Sequence, residues 1–79
     1  MIYLYQIRAE GSELDGETFH VQATSRQRGD DGAAARIRDR FSLASDDVKR
    51  SARAIHVKTL PSLTALEIYE TRINDMVSA

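Results

Sequence analysis

The sequence predicts a small α+β domain with the element order β-β-α-β-α. Three patterns support this class: strand-like alternation near the start, two later stripes of apolar residues at helical spacing, and an alternating segment between those stripes. Each helical stripe needs an apolar surface to pack against. We therefore expect a three-stranded, mainly antiparallel sheet that is covered on one face by two helices.

The length and composition limit the kinds of protein to consider. A chain of 79 residues has room for one hydrophobic core, so we expect a single domain. The sequence contains no cysteine, which excludes disulfides and thiolate metal sites. It shows neither a signal-peptide pattern nor an apolar run long enough to span a membrane, so we expect a cytoplasmic protein.

The first third of the chain predicts a β-hairpin. Residues 2–9 place Tyr3 and Tyr5 on one face of a strand, opposite polar residues. Residues 10–17 contain an Asp-Gly pair, which favours the positive φ angles of a tight reversal. Residues 18–23 then alternate between apolar and polar side chains, which predicts the second strand.

The first helix is expected to begin late. Gly29 and Gly32 would each cost roughly 1 kcal/mol inside a helix, so residues 24–32 are interpreted as a loop. Asp30 or Asp31 would then accept hydrogen bonds from the first free amides of the helix. The apolar stripe that follows consists of Ala34, Ile37 and Phe41.

A short turn and a third strand should follow. Ser45 has the character of a residue that opens one helical turn. Residues 52–60 alternate again, and we expect Ile55 and Val57 to face the core while His56 faces solvent.

The last helix has the clearest local signature. Thr64 and Glu67 have the spacing of a capping box, which predicts a helix that begins near Ala65. Its apolar stripe consists of Leu66, Tyr69, Ile73, Met76 and Val77.

Charge is distributed unevenly although the formal net charge is only −1. Residues 26–58 contain nine basic and five acidic side chains, whereas the flanking segments are acidic. We identify two candidate partner-binding surfaces from this asymmetry. The acidic candidates are Glu10, Glu13, Asp15 and Glu17. The basic candidates are Arg36, Arg40, Lys49, Arg50 and Arg53.

No motif in the sequence predicts catalysis, a cofactor or a metal. His20 and His56 are too few for a structural zinc site without further ligands. The Gly29–Gly32 segment lacks the ordered oxygen ligands of a calcium loop, and no phosphate-binding loop is present. We therefore expect a non-enzymatic protein without a cofactor, whose function is binding.

The segment Val48-Lys49-Arg50 precedes the strand Ala54-Ile55-His56-Val57. Together with the preceding hairpin and helix, this arrangement resembles archaeal ribosomal protein LX, a family of small RNA-binding proteins. The resemblance implies RNA binding through the basic residues of the 26–58 region, with strand aromatics such as Tyr3 available to stack on bases.

The small size, slightly acidic charge and lack of cysteine and enzymatic motifs resemble small phage-encoded inhibitors, including anti-CRISPR proteins. This resemblance implies steric blocking of a host nucleic-acid-processing complex, with acidic residues that contact its Lys and Arg side chains. Our first prediction is thus a protein-binding module of this kind, and the alternative is an RNA-binding accessory protein. Because at least one sheet edge stays open, we also expect self-association to a homodimer, through a sheet edge or through the last helix.

Overall fold

The computed structural model describes residues 1–78, and the side chains of residues 1–73. Its elements are β1 (Ile2–Arg8), β2 (Thr18–Gln22), α1 (Arg26–Arg40), α2 (Asp46–Ser51), β3 (Arg53–Leu60) and α3 (Leu63–Ser78). The predicted α+β class is confirmed. The short turn expected at Ser45 is α2, and the Ser45 hydroxyl accepts a hydrogen bond from the Val48 N–H.

The sheet has β1 in its centre. Its order is β2-β1-β3, and both pairings are antiparallel, as predicted. Residues 2–5 of β1 are consecutive, apolar or aromatic, and all buried. A continuous run of this kind is typical of a strand that is covered on both faces.

The two long helices lie on opposite faces of the sheet, whereas the sequence analysis placed both on one face. α1 packs against Tyr5 and Ile7, which point to one side of β1. α3 places Leu66 against Ile2 and Leu4, which point to the other side. The difference follows from β1 itself, because its two faces are both apolar and each needs a covering helix.

α1 begins at Arg26, five residues before the earlier of the two predicted starts, which lies directly after Asp30. Ser25 is its N-cap, and the Ser25 hydroxyl accepts a hydrogen bond from the Arg28 N–H at 3.3 Å. The expectation that Asp30 or Asp31 caps this helix is therefore wrong, because both residues lie within it.

The close packing around Gly29 explains why a glycine is tolerated inside α1. Gly29 is buried, and a Cβ atom at this position would lie 2.9 Å from the Tyr5 hydroxyl and 3.0 Å from the Tyr3 ring. The missing side chain lets the helix backbone approach the two tyrosines directly. We attribute the retention of glycine, despite its low helix propensity, to this close packing.

α3 also begins earlier than predicted. Ser62 accepts a hydrogen bond from the Ala65 N–H at 3.2 Å, so Ser62 rather than Thr64 provides the cap. The side chains of Met76 and Val77, which belonged to the predicted apolar stripe, lie outside the described residues.

The connection between β1 and β2 makes the expected reversal. Gly16 has a φ of +89°, and its N–H donates to the Ile7 carbonyl at 2.8 Å. Asp15 closes the other side of the turn, because its Oδ1 accepts a hydrogen bond from the Ala9 N–H at 3.0 Å. The connection thus depends on two positive φ angles, at Gly11 (+82°) and Gly16, and on one side-chain cap.

Candidate binding groove

A groove runs between α1 and β3 on the tyrosine-bearing face of the sheet. Its volume is about 750 Å³. Ile37 of α1 and Phe41, its C-cap, form part of the lining, together with Ala54 of β3 and Ala52, which directly precedes β3. Both alanines pack against the cluster that contains Ile37 and Phe41, but their side chains are small and leave space beside α1.

Basic side chains surround this apolar floor. Four cations and a single carboxylate line the groove: Arg26, Arg38, Lys49, Arg53 and Asp30. Because basic groups outnumber acidic groups four to one, the groove carries an excess of positive charge, which favours an anionic ligand.

The single carboxylate is already engaged by neighbouring groups. Tyr5 donates its hydroxyl proton to Asp30 Oδ1 at 2.7 Å, and Arg26 Nε donates to the same oxygen at 2.8 Å. Asp30 and Arg26 are one helical turn apart on α1, so the helix sets their spacing. Tyr5 is only 2% exposed and anchors the group to the core.

These contacts shift the ionisation of all three groups. The hydrogen bond from Tyr5, and then that from Arg26, holds the pKa of Asp30 below its ordinary value. Burial, and then the hydrogen bond to Asp30, raises the pKa of Tyr5 above its ordinary value. The hydrogen bond to Asp30 also raises the pKa of Arg26. At neutral pH the group therefore contains an ionised Asp30, a charged Arg26 and a neutral Tyr5.

Two arginines oppose each other at the end of the sheet nearest the turn. Arg8 of β1 and Arg53 of β3 are directly paired in the antiparallel register. Like charges at opposed positions destabilise a sheet. Among the described residues, the ion pairs are Arg26–Asp30 and Arg40–Glu17, and neither relieves this repulsion.

A second cavity of about 420 Å³ lies at this end and is continuous in its lining with the groove through Arg53. Arg8 and Arg50 contribute basic groups to its lining, and Glu10 and Asp15 contribute acidic groups. Basic and acidic candidates thus meet in one cavity instead of occupying separate faces.

The predicted basic residues do not form one surface, because three of them line the two cavities and two lie on α1 outside both cavities. Lys49 and Arg53 line the groove, whereas Arg50 lines the second cavity. Arg36 lies over the Phe19 ring, with 5.5 Å between the guanidinium carbon and the ring centroid. Arg40 lies 3.8 Å from Glu17 on the opposite side of α1 from the groove-lining Arg38.

The sequence analysis missed Arg26 and Arg38 as groove residues. It placed the start of α1 after Asp30, so Arg26 was interpreted as part of a loop. With the helix extended to Ser25, Arg26, Asp30 and Arg38 recur at four-residue multiples and share one face. This spacing is the sequence feature that identifies them.

The predicted acidic residues do not form one free surface. Asp15 caps the turn, and Glu17 contacts Arg40. Glu10 and Glu13 are exposed in the connection between β1 and β2. Asp15 and Glu17 therefore already make contacts within the chain, and a partner is not needed to explain their presence.

The two histidines lie on opposite faces of the sheet and on strands that flank β1. His20 is exposed, whereas His56 is half-buried, between the rings of Tyr3 and Tyr5, and shares a 2.8 Å hydrogen bond with Thr59. The expectation that His56 faces solvent is therefore wrong. Among the described residues, no cluster of three or more His, Asp or Glu side chains suits a metal ion.

The other face of β3 carries exposed apolar residues. Ile55 is 40% exposed and Val57 is 45% exposed, although both were predicted to face the core. Ile55 pairs with Gln6, which lies on the α3 side of the sheet. α3 covers the far end of this face, where Leu66 packs, and leaves Ile55 and Val57 open.

Among the described residues, no helix has the length and apolar character that crossing a bilayer requires. Comparison with protein families, with curated proteins and with solved structures gives no match for this chain.

Proposed function

We propose that the protein is a non-catalytic protein-binding module whose groove between α1 and β3 holds an extended acidic segment of a partner protein. The observation that carries this proposal is the charge of the groove. Four basic side chains and one carboxylate surround an apolar floor. Acidic side chains in such a groove gain charge-assisted hydrogen bonds, and their aliphatic parts lie on apolar surface.

The hydrogen bonds that Asp30 already accepts make the groove compatible with an anionic ligand. An unpaired carboxylate at this position would repel an acidic ligand, but Tyr5 and Arg26 both donate to Asp30. The contact also positions Arg26, since its Nε is fixed while its terminal nitrogens can bind a ligand carboxylate.

The position of β3 supports an extended segment. β3 forms one edge of the sheet and runs alongside the groove. An edge strand offers unpaired backbone N–H and C=O groups, and adding a strand there is a common way of binding peptides. The backbone of the partner would supply affinity, and the groove would supply selectivity for acidic side chains.

A protein partner is favoured over RNA by the placement of the aromatic rings. Single-stranded RNA recognition uses exposed aromatic faces for stacking. Tyr3 and Tyr5 are 6% and 2% exposed, and Phe19 is half-buried beneath Arg36. The narrower expectation, that the partner belongs to a host nucleic-acid-processing complex blocked by a phage inhibitor, stays a prediction.

The test compares two anionic polymers with equal numbers of negative charges. Fluorescein-labelled oligoglutamate and oligouridylate are titrated with the protein, and anisotropy reports binding. We expect oligoglutamate to bind more tightly. Arg38→Glu with Lys49→Glu should weaken it by roughly tenfold or more. The matched control is Arg28→Glu with Arg36→Glu, which makes the same charge change on α1 outside the groove.

The proposal fails if both double variants weaken binding equally, because binding would then follow net charge alone. It also fails if oligouridylate binds more tightly, a result that would favour the RNA-binding alternative. A chain that sediments as a dimer and binds neither polymer would instead assign the groove and edge to a second copy.

A further inference from the structure

The two faces of β3 differ in chemistry, and this difference constrains what can lie beside it. Ala54 and His56 point into the basic groove. Ile55 points to the α3 side, where it is 40% exposed, and Val57 lines a cavity on that same side. One edge strand therefore borders a basic groove on one face and a short apolar strip on the other.

The side chains of a strand added to β3 would alternate between the basic groove and the apolar strip. Successive side chains of a strand point to opposite faces of the sheet, so every second side chain of the partner would enter the groove. The side chains between them would lie beside Ile55 and Val57. Opposed apolar side chains on neighbouring strands stabilise a sheet, and β-branched residues suit such positions.

We infer that the partner segment alternates acidic and β-branched apolar residues, with the acidic side chains in the groove and the apolar side chains on Ile55 and Val57. This inference rests on the proposed function and adds a sequence pattern to it. It also accounts for the exposure of Ile55 and Val57. Exposed β-branched residues on an edge strand otherwise favour unspecific pairing with other strands.

The irregular part of β3 sets the register of this segment. The pairing between β1 and β3 shifts between Leu4 and Tyr5, so Val57 is the extra residue of a bulge. Regular pairing covers residues 53–56, opposite residues 5–8 of β1. The partner strand should thus pair along the regular stretch and reach Val57 with its last apolar side chain.

The test uses two labelled peptides of identical composition and charge. One contains four Glu-Val repeats, and the other contains four Glu followed by four Val. Anisotropy titrations at low salt, with sedimentation to confirm monomeric peptides, compare their affinities. We expect the alternating peptide to bind roughly fivefold more tightly, because two apolar pairs form only in the alternating register.

The variant Ile55→Thr with Val57→Thr keeps both side chains β-branched and replaces one apolar branch of each by a hydroxyl group. It should abolish the difference between the two peptides while leaving the affinity of the block peptide unchanged. Leu43→Thr is the control, since Leu43 is fully exposed and lines none of the described cavities.

The possible results separate this inference from the proposed function. Equal affinity of the two peptides for the wild-type protein overturns the alternating pattern but leaves acidic-segment binding intact. A preference that persists in the Ile55 and Val57 double variant overturns the role of the apolar strip. If neither peptide binds, both the pattern and the proposed function are overturned.

Discussion

The two faces of the central strand show how one sheet can serve stability and binding at once. On the α1 face, Gly29 allows the helix backbone to approach the tyrosines, and Ile7 is only 2% exposed. On the α3 face, burial is concentrated around Leu4, while Ile55 and Val57 stay open. The closely packed region lies over β1, and the open regions lie along β3.

From this contrast we infer that the smallest side chains between a helix and a sheet set how closely the two can approach. α1 approaches the sheet closely at Gly29, whereas Ala52 and Ala54 contact the cluster of Ile37 and Phe41 but are too small to fill the space beside it, which leaves a groove. Small side chains therefore tighten packing in one region and open a cavity in another, depending on whether backbone is available to fill the space.

The largest expected effect is on the free energy of unfolding, and it is tested by truncating a buried isoleucine on one face of the sheet and an exposed isoleucine on the other. Ile7→Ala should lower the free energy of unfolding by about 2–5 kcal/mol, because it leaves a cavity against α1. Ile73→Ala should change it by roughly 0.5 kcal/mol or less, since Ile73 is 41% exposed. Urea denaturation measures both.

A small domain has little stability to lose, so Ile7→Val supplies a milder measurement at about 0.5–1.5 kcal/mol. If the Ile7 and Ile73 variants lost equal stability, the two faces would be equally packed and the comparison above would be wrong.

The next effect tests the close approach at Gly29. Gly29→Ala gains helix propensity but forces a Cβ atom against the tyrosines, so we expect a net loss of about 1 kcal/mol. Gly32→Ala is the comparison variant, because its Cβ would lie 2.9 Å from one methyl group of the half-buried Val21, whereas the Cβ at position 29 would meet two buried tyrosines. Thermal and urea unfolding should rank Gly32→Ala as the more stable variant. Equal stabilisation by both substitutions would show that α1 does not need glycine at position 29.

A smaller effect concerns the link between the core and the groove. Tyr5→Phe removes the hydroxyl that donates to Asp30 and should cost about 0.5 kcal/mol at neutral pH, a low value because Asp30 is partly exposed. NMR titration of the Asp30 carboxyl should show its pKa rising towards the ordinary value in this variant.

The sign of the pH dependence follows from the lowered pKa of Asp30 in the folded state. Its stabilisation is present above the ordinary carboxyl pKa and is lost as the pH falls through the lowered folded-state pKa. Tyr5→Phe should therefore flatten the acid side of the stability profile. An unchanged profile, or an Asp30 pKa that does not move, would mean that Tyr5 contributes nothing to the charge of the groove.

The smallest effect lies at the end of the sheet, where the groove meets the second cavity. Arg8→Glu replaces the repulsion with Arg53 by an attraction and should raise stability by roughly 0.2–1 kcal/mol at low salt. High salt should remove most of this gain, because exposed charges are screened. Arg8→Gln should give an intermediate value. A loss of stability in Arg8→Glu would show that the two arginines do not repel each other in the folded chain.

The sequence predicted those parts of the fold that depend on local patterns. Alternation in residues 2–9 and 18–23 predicted the hairpin, and Ser45 predicted the short turn, because these signals act over a few neighbouring residues. The consecutive apolar residues from Ile2 to Tyr5 are the feature from which a strand covered on both faces could have been predicted, but the sequence analysis assigned both helices to one face.

The errors occurred where a distant contact reversed a local preference. Gly29 disfavours a helix locally, yet its contact with Tyr3 and Tyr5 favours one. His56 is polar, but Thr59 and the tyrosine rings accommodate it on the inner face, and the apolar Ile55 is left outside. Arg26 and Arg38 were missed as groove residues because their shared face appears only once the start of α1 is known.

The order of the strands has a consequence for how the molecule acquires its groove. β1 pairs with β2 through a short connection, but its pairing with β3 requires closing a loop that contains β2, α1 and α2. Such non-local pairing is slow compared with hairpin formation. Since β3 forms one wall of the groove, the surface that we assign to binding is complete only when this non-local pairing has formed, and we expect that step to follow formation of the hairpin. A fluorophore in the groove should accordingly report a later kinetic phase than one placed in the β1–β2 hairpin.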